Sequence, residues 1–98
     1  MLHILNKSPL EKGSLDTVLR LARSGAVLLI EDAVYAATRG HGAESKLRQL
    51  MARLKVYALA PDLQARGVAD RVIDGVELVD YEGFVDLVVE HPASQSWL

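Results

Sequence analysis

The sequence predicts one layered α/β domain over residues 1–98: a three-layer fold with a mainly parallel sheet of four to five strands flanked by helices. Three observations predict it. Apolar strand-like runs alternate with segments of helical period about four times along the chain, the order of layered α/β folds with right-handed crossovers. One run, Ala26-Val27-Leu28-Leu29-Ile30, lacks polar alternation, so both faces of that strand must be covered, as in a parallel sheet between helices. At 98 residues the chain makes one domain at most, and 50% apolar with 24% charged residues points to a packed core rather than disorder.

Met1–Leu5 is short, apolar and broken by Asn6-Lys7-Ser8-Pro9, so it reads as a first strand and a loop. Ser14 is placed to cap a helix, with Asp16 in its first turn, where the helix dipole favours a negative charge. Leu15, Val18, Leu19 and Ala22 form its apolar stripe, and Gly25 is a natural stop. Ala26–Ile30 is the second strand. Glu31-Asp32 ends it, and Ala33–Thr38 suits a short helix. After the loop Arg39-Gly40-His41-Gly42, the stripe Leu47, Leu50, Met51 and Leu54 predicts a helix over residues 43–53. Val56–Ala60 is the third strand. Pro61 stops it and opens a short helix to Arg66, ended by Gly67. Val76–Val79 is a fourth strand. Asp80 is placed to cap the last helix, whose apolar stripe is Tyr81, Phe84, Val85 and Val88. Pro92 breaks that helix, and Gln95–Leu98 is a candidate fifth strand ending in Trp97-Leu98.

The composition excludes several functions. With no cysteine there is no disulfide, thiolate metal site or sulfur nucleophile. The N-terminus lacks the basic start and apolar stretch of a signal peptide, and Ala26–Ile30 is far shorter than the roughly 20 residues that span a bilayer. The expectation is a soluble cytoplasmic protein without membrane contact. The net charge of −2 hides an asymmetry: residues 1–71 hold all 11 Lys and Arg against seven acids. Residues 72–98 hold Asp74, Glu77, Asp80, Glu82, Asp86 and Glu90 and no Lys or Arg. This is either a solvated acidic helix face or a surface matched to a partner.

In open α/β sheets ligands sit beyond the carboxyl ends of the strands. Glu31, Asp32, Asp62 and Asp80 fall there, and as hard oxygen donors they would suit Mg²⁺ in a stand-alone small-ligand enzyme. Asp32, Asp62 and Asp80 also sit at helix starts, and capping is the reading favoured for them; no metal or cofactor is expected. A phosphoacceptor would need Asp where Asn6 stands, and Gly40-His41-Gly42 lacks the third glycine of a dinucleotide fingerprint, Ser45 standing there. His3, His41 and His91 have no metal-ligand spacing. Arg39, Lys46, Arg48, Arg53 and Lys55 make a modest basic stretch, but five aromatics leave few stacking platforms, and direct RNA contact is not expected. Trp97-Leu98 either packs on its own core or anchors another subunit.

The chain also resembles the TusB/DsrH-like proteins of the DsrE/F/H superfamily along nearly its whole length. The residues that carry this are Met1-Leu2-His3 with Ser8-Pro9, the block Glu31–Ala37, and Val56-Tyr57-Ala58-Leu59 with Asp62 and Ala65-Arg66-Gly67. They continue with Val79–Leu87 and Trp97. Their order and spacing are together more specific than any one block.

The resemblance implies a Rossmann-like subunit of a sulfur relay, joined to TusC- and TusD-like subunits in a dimer of heterotrimers. Such complexes pass persulfide sulfur from a TusA-type donor to a TusE-like acceptor for 2-thiolation of the tRNA wobble uridine. DsrH-like proteins take the same place beside DsrE- and DsrF-like subunits in sulfur oxidation, handing sulfur to a DsrC-like protein. In the catalytic subunits a carrier cysteine follows the third strand, before an Arg-Gly pair, and some DsrH-like subunits carry one in the first helix. The matching positions here are near Leu59 and Val18, so the chain is expected to be a non-catalytic, cysteine-free accessory subunit. Tyr35, Trp97 and Leu98 are its candidate interface residues.

Overall fold

The computed structural model describes residues 1–11 and 13–97. Five strands, β1 (Leu2–Leu5), β2 (Ala26–Leu29), β3 (Lys55–Leu59), β4 (Glu77–Val79) and β5 (Ser94–Trp97), pair in the order β4-β3-β2-β1-β5. Every pairing is parallel. Between them lie α1 (Ser14–Leu21), α2 (Glu44–Met51), α3 (Ala60–Ala65) and α4 (Tyr81–Glu90), with 3₁₀ turns at Glu31–Ala37 and Ala69–Arg71. The candidate fifth strand is therefore present, at the sheet edge beside β1.

Strand side chains alternate between faces, and the two packing clusters follow that alternation. Leu5, Val27, Leu29, Val56 and Ala58 meet Leu15 and Val18 of α1, Leu47 and Leu50 of α2, Leu63 of α3 and the small residues of Glu31–Ala37. Leu2, Ala26 and Leu28 on the other face meet Leu87, with Phe84 partly buried beside it, both from α4. Handedness explains the division. The chain steps from β1 to β4 in one direction, and right-handed crossovers put those connections on one face. The return from β4 to β5 runs the opposite way and carries α4 across the other face.

Several local expectations are corrected. Ser14 is already helical and makes no cap; Gly13 precedes the helix, whose start lacks a side-chain cap bond. Gly25 does not end α1, which stops at Leu21 with Ala22 extended. Arg53 instead closes that end, donating to the Leu19 and Ala22 carbonyls and so tying α1 to the turn after α2. Gly25 has φ +101°, and a Cβ there would overlap the Met1 carbonyl oxygen, which accepts from Ala26 N at 3.1 Å. The helix expected after β2 is a 3₁₀ segment: Ala33, Ala36 and Val34, Ala37 are buried at three-residue spacing, which suits three residues per turn.

The edge strand β5 is fastened by more than its ladder. Trp97 is half-buried against the larger cluster, and its indole Nε1 donates to His3 Nδ1 at 3.4 Å, the rings tilted by 37°. Burial holds His3 below 6.5, its ordinary value; the amino-terminal charge acts the same way, and a hydrogen bond to the Ser24 backbone opposes both.

Two predictions follow from this packing. Gly25→Ala is expected to cost more than about 3 kcal/mol in urea unfolding, because backbone overlap adds to positive-φ strain. Gly40→Ala, at φ +82° with open space around it, should cost only about 1–2 kcal/mol. The second concerns His3. A folded value below the unfolded one means the unfolded chain binds more protons, so this contribution is complete above pH 6.5 and is lost as pH falls below it. The emission of Trp97, the chain's one tryptophan, should shift in that window, and His3→Gln should abolish the shift. Glu44, held below 4.5 by the Gly40 amide and then Arg48, acts only in a more acidic range.

Candidate functional site

The carboxyl ends of β2 and β3 bring three of the four expected acids together. Glu31 begins the 3₁₀ segment with φ +50°, and its N–H donates to Asp62 Oδ2 at 2.7 Å. Asp62 stands in the first turn of α3 but makes no cap there; it satisfies the leading amide of the neighbouring segment instead. Asp32, likewise expected as a cap, takes Arg66 Nε and Nη2 on Oδ1, each at 2.9 Å. Arg66 Nη1 also reaches the Asp62 carbonyl at 3.2 Å.

Arg66 is thus the cation of this cluster, one that sequence reasoning passed over. Its i,i+4 spacing from Asp62 was the available signal. Asp80 is not part of the group: it caps α4, accepting from Gly83 N at 2.7 Å. Among the described residues no three His, Asp or Glu side chains are placed to hold a metal ion, and no pocket is present to enclose a small ligand. The acids join α3 to the 3₁₀ segment.

The two positions matched to family cysteines are both inside the protein. Val18 lies in the larger core and Leu59 is the buried last residue of β3. Of the candidate interface residues, Tyr35 and Trp97 are half-buried against that core, and Leu98 lies outside the described residues.

The basic stretch is largely engaged within the chain. Lys46 pairs with Asp16 at 2.7 Å, Arg48 with Glu44 at 2.9 Å, Arg39 with the Asp70 carbonyl at 3.1 Å, and Arg53 with the end of α1.

The largest departure from expectation is α4. Its stripe of Tyr81, Phe84, Val85 and Val88 was expected to face the core, yet the side buried is that of Phe84 and Leu87. Tyr81 is 62% exposed, Val85 60%, Val88 41% and Val89 77%. These four recur at i, i+4, i+7 and i+8, so they share one outward face. Glu82, Asp86 and Glu90, all exposed at i, i+4 and i+8, form an acidic row along its border. The apolar arc of α4 is wider than the sheet can cover, and periodicity alone does not mark which part is covered.

Comparison with known proteins agrees with this architecture. A match to the family described as DsrH like protein spans residues 7–94. The chain is 41% identical over 98 residues to Protein TusB of Pectobacterium parmentieri, covering 99% of this chain and all of that one. It is 38% identical over 97 residues to Protein TusB of Escherichia coli K12, with the same coverage. Among solved structures, the ychN protein of E. coli superposes with a TM-score of 0.82 at 23% identity, over 98% of this chain and 97% of that one. A protein of Methanobacterium thermoautotrophicum superposes at 0.69 and 17% identity, over 98% and 96%. The two structures establish the Rossmann-like fold, and the family match with its end-to-end identities establishes more: the chain belongs to the TusB/DsrH-like family.

Proposed function

We propose that the chain is a non-catalytic, TusB-like subunit of a heteromeric sulfur-transfer complex that supports persulfide relay for 2-thiolation of the tRNA wobble uridine. Full-length identity to proteins named TusB, in a chain with no cysteine, carries this reading. In a relay an acceptor thiolate attacks the outer sulfur of a donor persulfide. One S–S bond forms, one breaks, and the donor leaves as a thiolate, with no net oxidation. Both roles need a cysteine, and this chain has none. Its contribution is architectural: holding TusC- and TusD-like partners in place, and through them a TusE-like acceptor. The cytoplasm is the corresponding compartment; no described helix is long and apolar enough to cross a membrane.

A second reading, a DsrH-like subunit beside DsrE- and DsrF-like partners in sulfur oxidation, draws on the DsrH description of the matched family. The strand-end acids have a structural role in either case.

Co-expression with TusC- and TusD-like subunits should give a complex that survives gel filtration, and a free monomer with both present would overturn the proposal. In a host lacking its own TusB, the chain should restore 2-thiouridine. Assembly without restoration would favour the sulfur-oxidation reading. Asp62→Ala should lower unfolding stability by about 1 kcal/mol through the lost Glu31 N–H acceptor, with assembly unchanged.

A further inference from the structure

The sheet is covered unevenly. Among the described residues, α4 is the one helix packed on the Leu2–Leu28 face, and Ile4, Ile30 and Tyr57 beside it remain half-buried. Its outer side exposes Tyr81, Val85, Val88 and Val89 within ten residues. Scattered exposed apolar residues are ordinary on a soluble protein, but a contiguous row with a polar border marks an interaction surface.

We propose that the outer face of α4 is the seat of a protein partner whose own surface has an apolar centre bordered by Lys or Arg. The inference rests on reading this chain as a subunit of a complex. Charge selects the occupant. Glu82, Asp86 and Glu90 run along the apolar row, Glu77 and Asp80 lie just before it in sequence, and residues 72–98 contain no Lys or Arg. No Lys or Arg lies in the last turn of α4, and His91, which closes the helix, is engaged with the Leu87 carbonyl, its Nδ1 at 2.8 Å. Nucleic acid and anionic lipid are disfavoured by like charge. A second copy fits poorly as well. Packing α4 on α4 would set one acidic row near another. Within residues 1–71, which hold all the Lys and Arg, the exposed Met1, Leu10 and Leu21 are isolated in sequence rather than part of a row.

The test uses the full chain with co-purified TusC- and TusD-like subunits. Val85→Gln with Val89→Gln removes exposed apolar surface while raising helix propensity, and Asp86→Lys with Glu90→Lys reverses the border without placing a cation in the first turn of α4. Each pair should leave thermal unfolding and circular dichroism unchanged and weaken assembly at least about tenfold. The charge pair should also flatten the salt dependence of association. If the wild type assembles and both variants match it, the α4 proposal is overturned while the subunit reading stands. If the wild type binds neither partner, both fall. A homodimer abolished by Val85→Gln with Val89→Gln would assign the face to a second copy, and variant-sensitive binding to tRNA or anionic vesicles would assign it elsewhere. Either result overturns the proposal.

Discussion

The fold depends on the parallel ladder around β2. Parallel strands need a crossover between each pair, and crossovers are right-handed. Once the chain lays β1, β2, β3 and β4 side by side, α1, α2 and α3 have to share one face, and α4 is left to cross the other. The unequal clusters are a consequence: four helical segments build the larger, whereas Leu87 is the buried helical residue of the smaller. An apolar helix laid alone over a sheet retains apolar surface outside, so the exposed face of α4 follows from chain topology as much as from its residues.

That distinction separates what was legible in the sequence from what was not. Ala26–Ile30 declared a strand covered on both faces, and Leu15-Val18 and Leu47-Leu50 declared helices, because one-sided burial leaves a periodic trace. Pro61 marked the start of α3 because its ring suits a first helical turn. Sequence is least informative where the deciding partner is distant along the chain. Gly25 follows α1 in sequence, but the atom that requires a glycine there is the Met1 carbonyl across the strand entrance. Asp62 has the position of a cap for its own helix, but it serves Glu31, 31 positions earlier. In α4, local hydropathy identified the apolar arc without revealing which side the sheet occupies.

The candidate site shows a similar economy. At the strand ends, a natural place for ligand chemistry in such sheets, the Asp62 carboxylate takes the Glu31 amide and the Asp32 carboxylate pairs with Arg66. Leu59 and Val18 are both buried. The chain keeps the scaffold of the TusB/DsrH-like family, with Val18 and Leu59 buried within it. The paired acids and the buried end of β3 hold that scaffold together.

The pairing of β5 with β1 has a consequence for biosynthesis. β1 lies between β2 and β5, and Leu2 is opposite Ser94, so its outer side waits for a strand made about 90 residues later. Local α/β contacts can form while the chain is still emerging, but the sheet closes only when both ends are available. Until then α4, which leads into β5, has no anchored far end, and the surface it carries is not yet in final form. The proposed assembly through that surface would therefore follow synthesis of β5, so that chains still lacking that strand would not present it in final form.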